Sequence, residues 1–496
     1  MVIYRLLAWL LRVVTRVFFR QVEVVGLENI PADGGVLFAG NHPNSLIDPI
    51  LILTTCGRKV HFAAKDTLFK GRLMRAVLGG LGAVPIRRRD DHDGTPRGGI
   101  NNDAAFAAMF AVLEDGGAIG IFPEGLSHDA SQLAKLKTGA ARLALGGARH
   151  ATAPIAVVPC GLTFIHPKRF RSRVLVQYGA PIVVAPAPGP LAPEAVHALT
   201  AELDAALRRL TINAADWDIV RALDTVRRLY QPQEISIEDR VELARRFNTY
   251  YRAVADAPNV AELMARVRAY QDRLDELGVT DRELARDLSK REVAVRMLRH
   301  LALVAFWLPL TVPGAPLHVP TVVFARLAGP RLTPRKDVIA TTKLLIGLLL
   351  VLLSYAAAVA VLWWRAGFWA AVVAALVLPL SGVATLRVLD RLRLVRRAFG
   401  VLSRRLRFRR EVGALRRERE RLAADVIRVV TEVKPPALSA LFPPGDPRRD
   451  DPEESWRARK NADLDAELDR DQAEDRAEDR AEEQDHHRDH DRDPPA

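Results

Sequence analysis

The chain has 496 residues, too many for one ordinary domain and enough to bury a large core. Its formal net charge is +13, but from Asp450 onward 19 Asp plus Glu face 8 Lys plus Arg, a net −11 that leaves +24 on the rest. An excess of that size calls for an anionic partner. No nucleic-acid fingerprint is present, which leaves a phospholipid membrane.

Cys56 and Cys160 are the only cysteines and lie outside any CxxC or metal-ligand spacing, so no disulfide framework is implied and a cytoplasmic compartment suits the chain. With 49% hydrophobic and 26% charged residues, the apolar residues must be concentrated somewhere, and they are, between residues 300 and 386.

Residues 1–21, MVIYRLLAWLLRVVTRVFFRQ, are apolar, with Arg5, Arg12, Arg16 and Arg20 spaced to share one helical stripe. No small-residue cleavage site follows, so the segment reads as an amphipathic helix on a membrane surface rather than a signal peptide. From residue 22 to 185, the runs VEVVG, GVLFAG, VHFAAK, GAVPI, GAIGIF, IAVVPCGLTF and RVLVQYG alternate with helical stretches. This is the pattern of an α/β domain, a sheet covered by helices. APAPGPLAP, residues 185–193, reads as a linker.

Residues 194–300 lose the strand signal and show a 3.6-residue period, which predicts a helical subdomain. Residues 301–330 are apolar but interrupted by Pro309, Pro313, Pro316 and Pro320, as expected of an interfacial or re-entrant segment. Residues 343–386 predict a transmembrane hairpin. Within them, 344–364 carry no charge and are long enough for a bilayer core of about 30 Å. After Arg365, Ala366 and Gly367, residues 368–386 repeat the pattern.

Arg331, Arg335, Lys336 and Lys343 precede the hairpin, and Arg387, Arg391, Arg393, Arg396 and Arg397 follow it. The positive-inside rule then puts both outer ends, and the α/β domain with them, on the cytoplasmic face. Residues 387–434 read as an Arg-rich helical segment and 435–496 as a disordered acidic tail, where His486, His487 and His490 are solvated rather than metal ligands.

GNHPNSLIDPI, residues 40–50, places His42 and Asp48 directly after a predicted strand. Alone, the pair admits three readings: a catalytic pair, a metal-site fragment, or a polar turn. Two further polar clusters fall at equivalent strand ends, Arg87, Arg88 and Arg89 after GAVPI, and Glu124, Gly125 and Ser127 in GIFPEGLS. Open α/β sheets bind ligands at such carboxyl edges.

A His backed by a carboxylate, a cationic patch and a Glu-Gly turn, with no nucleophile elbow, fit a general base that activates a substrate hydroxyl. Arginine forks suit a phosphate. Ser45 reads as a helix N-cap and Cys160 as a buried small apolar residue. Lys135 and Lys137 read either as positive charge for phosphate or CoA or as a solvated helix face. No strong metal-ligand spacing accompanies His42, so no metal is expected.

In that order, NHPNSLID, GAVPIRR, FPEGLS and VVPCGL resemble the PlsC-like glycerophospholipid acyltransferases, over roughly residues 20–185. The resemblance implies an α/β fold with a mixed sheet covered by helices. It implies His42 as catalytic base with Asp48 as its partner, Gly82 and Arg88 in the block that binds glycerol phosphate, aided by Arg87 or Arg89, and Glu124, Gly125 and Ser127 in a second substrate block. Pro159 falls in the last block. Acyl-CoA or acyl carrier protein would be the acyl donor, with no cofactor.

The usual superfamily spacing leaves four residues between His and Asp, whereas five stand here, so contact requires an irregular turn, which Pro43 and Pro49 allow. Fungal-type glycerol-3-phosphate or dihydroxyacetone-phosphate acyltransferases share the longer NHxNSLxDP form, and RKDVIATTKLLIGL at the hairpin entry resembles the same branch. The expected function is acyl transfer to the sn-1 hydroxyl of glycerol-3-phosphate. The alternatives are acylation of 1-acylglycerol-3-phosphate to phosphatidate and, in another class, a catalytically silent membrane scaffold.

Overall fold

Each strand-like run between residues 22 and 178 forms a strand: β1 (Gln21–Val25), β2 (Val36–Gly40), β3 (Val60–Lys65), β4 (Val84–Ile86), β5 (Ala118–Ile121), β6 (Ile155–Phe164) and β7 (Arg173–Tyr178). An eighth, β8 (Ile182–Val184), is too short for its alternation to show in the sequence. The computed structural model describes residues 2–87, 102–230, 237–285, 290–333, 335–407 and 409–433. Arg88, Arg89 and the acidic tail with its histidines lie outside the described residues.

The strands make one mixed sheet in the order β1-β7-β6-β2-β5-β3-β4, with β8 also beside β6. β2 runs parallel to both β5 and β6, β3 runs parallel to β5 and β4, and β6 is antiparallel to β7 and β8. The carboxyl ends of β2, β5, β3 and β4 therefore emerge along one edge. Val36 to Ala39 of β2 are fully buried, because helices cover both faces of this central strand.

The covering helices are α1 (Val2–Phe18), α2 (Ile47–Thr55), α3 (Arg72–Gly80), α4 (Asp103–Glu114), α5 (Gly139–Ala148) and α6 (Pro193–Leu210). Alternate residues of each strand feed opposite layers. Phe38 and Val158 join Ile47, Leu51 and Ile52 of α2 on one face. Leu37 and Val157 join Met109, Leu113, Leu143 and, from α6, Leu203 and Leu207 on the other.

Helix α1 presents two apolar faces. Tyr4, Ala8, Leu11, Val14 and Phe18 pack into the core, whereas Val2, Leu6, Trp9, Val13 and Val17 form an exposed stripe. Arg5, Arg12 and Arg16 run along the border between the faces, and Arg12 Nε donates to the Thr54 carbonyl at 3.3 Å.

The chain divides into two compact units, Met1–Trp217 with Ala328–Leu345, and Asp218–Leu327 with Ile346–Ala496. Two boundaries fall elsewhere than the patterning places them. Helix α6 belongs to the sheet's core rather than to a helical subdomain at 194–300. The second unit's core instead draws on α7 (Trp217–Tyr230), α8 (Ile237–Val254), α9 (Pro258–Leu277), α10 (Asp281–Ala285) and the distant α15 (Arg409–Val433), through Leu223, Phe247, Val267, Leu284 and Val426. Helical periodicity reveals a buried stripe but not its partner.

Beside that core lie α11 (Lys290–Thr311) and α12 (Ala315–Leu332), then α13 (Ile339–Ala366) and α14 (Phe368–Arg407). Residues 336–366 and 368–396 are long and apolar enough to cross a membrane, separated by Gly367 at φ +85°. Residues 297–311 and 315–332 meet at 108° across a break that holds Pro313. Ser381 Oγ there accepts the Gly314 N–H at 3.0 Å and donates to the Thr311 carbonyl at 3.1 Å, satisfying backbone groups that the break frees.

Candidate active site

Just past β2, the Asn41 side chain bonds both backbone groups of Leu162 in β6. Its Nδ2 donates to the carbonyl at 3.0 Å, and its Oδ1 accepts the N–H at 2.7 Å. The chain then leaves the sheet at His42 and reverses at Ser45, which adopts a left-handed φ of 48°. That reversal turns the first turn of α2 back toward His42.

Asp48, in that turn, is fully buried. Its Oδ2 accepts the Asn44 N–H at 2.7 Å and lies 2.8 Å from His42 Nδ1. The long His-Asp spacing is thus closed across an irregular turn, since along one helix the two side chains would diverge. Ser45 is not the helix cap that the sequence suggests. Leu46 holds the cap position, and the Ser45 N–H donates to Ser127 Oγ at 2.9 Å.

A carboxylate only accepts, so the His42 nitrogen facing Asp48, Nδ1, is the one that donates, and Nε2 points away from the pair. Burial pushes the Asp48 carboxyl above its ordinary range, against the opposing pull of the His42 hydrogen bond. The imidazole stacks on Phe122, with centroids 4.0 Å apart and planes 9° apart. Ring orientation is thus set by the Asp48 contact and the Phe122 stack.

The second cluster follows β5. Gly125 has φ +72°, a left-handed conformation that favours glycine, and only the movable end of the Lys137 side chain crowds the place of a Cβ there. Glu124 is 2% exposed. Its Oε1 accepts the His42 N–H at 2.9 Å, and its Oε2 accepts the Ala134 N–H at 2.7 Å and pairs with His128 Nε2 at 2.6 Å. The His128 N–H in turn donates to the His42 carbonyl at 3.1 Å.

Both backbone groups of His42 are therefore tied to the Glu124 loop. The hydrogen bond to Glu124, more than any other influence, raises the His128 pKa above the usual imidazole value. In the described geometry Glu124 and Ser127 position the His42 turn. Lys137 lies in an irregular segment ahead of α5 rather than on a helix face, with its N–H donating to the Pro123 carbonyl at 2.7 Å.

The remaining sequence-predicted residues are placed as follows. Gly82, at φ +71°, accepts a hydrogen bond from His61 Nδ1 at 2.9 Å, and a Cβ there would lie 2.3 Å from that nitrogen. Arg87, exposed, follows β4; its backbone N–H and carbonyl both bond the Asn102 side chain at 2.9 Å, and its Nε is 4.0 Å from Asp66 Oδ2. β4 stands three strands from β2, about 14 Å at the usual strand spacing, so Arg87 and His42 share the edge without being neighbours. Pro159 is buried in β6 opposite Ala39, behind the site.

Cys160 is fully buried, as its apolar setting suggests, and burial lifts the Cys56 thiol to about 11. Among the described residues, no group of three or more His, Cys, Asp or Glu side chains is arranged to hold a metal ion. Sequence reasoning missed Asn41, Asn44, Phe122 and His128. Asn41, Asn44 and Phe122 lie within NHPNSLID and FPEGLS without being singled out, whereas His128 falls just past FPEGLS, where no periodic pattern marks it.

The site so built is a buried His-Asp contact and a Glu-Gly loop at the carboxyl edge of a mixed α/β sheet. Residues 21–163 match the family model described as Acyltransferase, and residues 222–438 match that of the glycerol-3-phosphate acyltransferase 2 C-terminal domain. The chain therefore carries an acyltransferase region followed by a region like the C-terminal part of glycerol-3-phosphate acyltransferase 2.

It is similar to glycerol-3-phosphate O-acyltransferase 2 of Saccharomyces cerevisiae, 32% identical over 52% of this chain and 37% of that one. It is also similar to glycerol-3-phosphate O-acyltransferase 1 of the same yeast, 25% identical over 70% of this chain and 59% of the relative. A 1-acyl-sn-glycerol-3-phosphate acyltransferase of Borreliella burgdorferi is 29% identical over 25% of this chain and 46% of its own length. The chain thus spans less than two thirds of the length of these relatives.

Proposed function

We propose that the protein is an O-acyltransferase that moves a fatty acyl group from acyl-CoA or acyl carrier protein to the sn-1 hydroxyl of glycerol-3-phosphate. The observation that carries this reading is the buried 2.8 Å contact between His42 Nδ1 and Asp48 Oδ2. A silent scaffold has no use for it. The two glycerol-3-phosphate O-acyltransferases among the relatives favour this acceptor.

The free lone pair of Nε2 takes the hydroxyl proton as that oxygen attacks the thioester carbonyl, and the imidazolium that forms is stabilised by Asp48. When the tetrahedral intermediate collapses, the carbon–sulfur bond breaks and the departing thiolate takes the proton from His42. The thioester is already activated, so positioning and proton transfer are the main demands. Arg88 contributes to holding the acceptor's phosphate, as the family resemblance implies. The apolar stripe of α1 and the helices α13 and α14 hold the chain in a phospholipid membrane, with the catalytic unit on the cytoplasmic face.

A second reading, acylation of 1-acylglycerol-3-phosphate, is favoured by the similarity to the Borreliella protein. Membranes containing the protein, given labelled acyl-CoA and either acceptor, separate the two. Transfer to glycerol-3-phosphate supports the first; transfer only to 1-acylglycerol-3-phosphate keeps the mechanism and changes the substrate. Transfer to neither overturns the reading.

A further inference from the structure

The segment that enters α13 folds with the sheet unit, although it lies over two hundred residues further along the chain. Ala340 and Leu344, 1% and 6% exposed, share a core cluster with Ile47, Leu51 and Ile52 of α2. Thr341 Oγ1 donates to the Asn44 carbonyl at 3.5 Å, inside the His42–Asp48 turn. Lys343 Nζ donates to the Lys168 carbonyl at 3.0 Å. The motif RKDVIATTKLLIGL thus forms part of the wall of the candidate site.

Arg335 opens that motif and reaches the Glu124 loop. Its Nη2 donates to the Ser127 carbonyl at 3.2 Å, one residue before His128. Asp337, 7% exposed, holds the same guanidinium from behind, with Oδ2 2.7 Å from Nη2 and Oδ1 3.2 Å from Nε. Nη1 has no hydrogen-bond partner among the described residues, and the Arg335 side chain is 61% exposed. Asp337 is also among the charges that raise the His128 pKa, after the larger influence of Glu124. Exposed Lys336 beside it offsets the charge of Asp337.

A guanidinium anchored on one side, with N–H donors left free on the other, is suited to capture a phosphate oxygen. Its position matters because only a few bonds separate the hydroxyl and phosphate of glycerol-3-phosphate, so the phosphate must sit close to His42. Arg87 follows a strand three places away in the sheet. Arg335 is instead fastened to the loop whose next residue bonds the His42 carbonyl.

We propose that Arg335, delivered by the segment entering the first apolar helix, binds the phosphate of the acceptor; this rests on the acyltransferase reading above. The test uses the full chain in membranes and measures kcat and both KM values for wild type, Arg335→Ala and Arg335→Lys, with inhibition by inorganic phosphate. For Arg335→Ala, the KM for glycerol-3-phosphate should rise at least about tenfold, the loss expected of one charge-assisted hydrogen bond. The KM for acyl-CoA should stay within about twofold, since on this proposal the guanidinium addresses the acceptor's phosphate and not the donor. Inhibition by inorganic phosphate should weaken in step, and Arg335→Lys should fall between.

An unchanged acceptor KM would overturn the proposal, as would kcat and both KM values shifting together, the mark of a loosened loop. A wild type that transfers to no phosphate-bearing acceptor would overturn the acyltransferase reading and this proposal with it. An active wild type with an unmoved acceptor KM would overturn this proposal alone.

Discussion

Replacing Asp48 by Asn isolates the charge behind the proposed base. In the native site one oxygen, Oδ2, accepts both the His42 Nδ1 and Asn44 N–H bonds, so an amide oxygen at the same place keeps both contacts and the same tautomer. What disappears is the negative charge facing an imidazolium that forms only during proton transfer. A hydrogen bond to a charged group contributes about 1 to 2 kcal/mol more than a neutral one, and the full burial of Asp48 lifts the loss to about 2 to 3 kcal/mol. That corresponds to a fall in kcat of about 30- to 160-fold. The KM values should change little. The assay is steady-state acyl transfer at saturating donor and acceptor, paired with a thermal melt to establish that the variant is folded. A folded Asp48→Asn protein with kcat within about threefold of wild type would refute the idea that Asp48 stabilises a charged His42.

Glu124→Ala should do wider damage, because three donors lose their acceptor in a buried site; we expect a loss of about 3 to 5 kcal/mol, read as a lower melting temperature together with lost activity. Gly82→Ala forces a non-glycine into φ +71° and a Cβ to within 2.3 Å of His61 Nδ1, so it should destabilise by about 1 to 3 kcal/mol, and an unshifted melt would contradict the turn geometry. The pKa of His128 is raised in the fold. Its stabilising contribution is therefore fully present below the unfolded imidazole value of about 6.5 and is lost as pH rises through the higher folded value. The difference in melting temperature between wild type and His128→Gln should shrink from about pH 5.5 to 8.5, and a difference that grows with pH would reverse the assignment.

Much of the sheet could be read directly, because β2, β5 and β6 are buried on both faces and appear as short apolar runs bounded by glycine and proline. The same runs located His42, Glu124 and Arg87 at strand ends on one edge. Alternation says nothing of strand order, however, so the three-strand interval between Arg87 and His42 was not visible. The contact between His42 and Asp48 was expected through an irregular turn, but the form of that turn was not visible: it depends on Ser45 adopting a left-handed φ that serine rarely takes and that NHPNSLID does not announce. The role of His128 follows from a loop held by long-range bonds.

Partner choice was illegible for a different reason. Helix α6 and residues 328–345 both carry buried apolar residues, but hydrophobic spacing marks a buried stripe without identifying what it meets. Helix α6 therefore read as part of the helical subdomain, and RKDVIATTKLLIGL as a simple hairpin entry, when both pack on the sheet.

The most direct test of the account is a single-turnover measurement of acyl transfer to glycerol-3-phosphate by the wild type and by His42→Ala, at saturating acyl-CoA and with folding checked in parallel. Removing the general base should slow the step by about 10²- to 10⁴-fold. A folded His42→Ala protein that transfers the acyl group within about fivefold of the wild-type rate would contradict the central claim, and the base would have to be sought elsewhere.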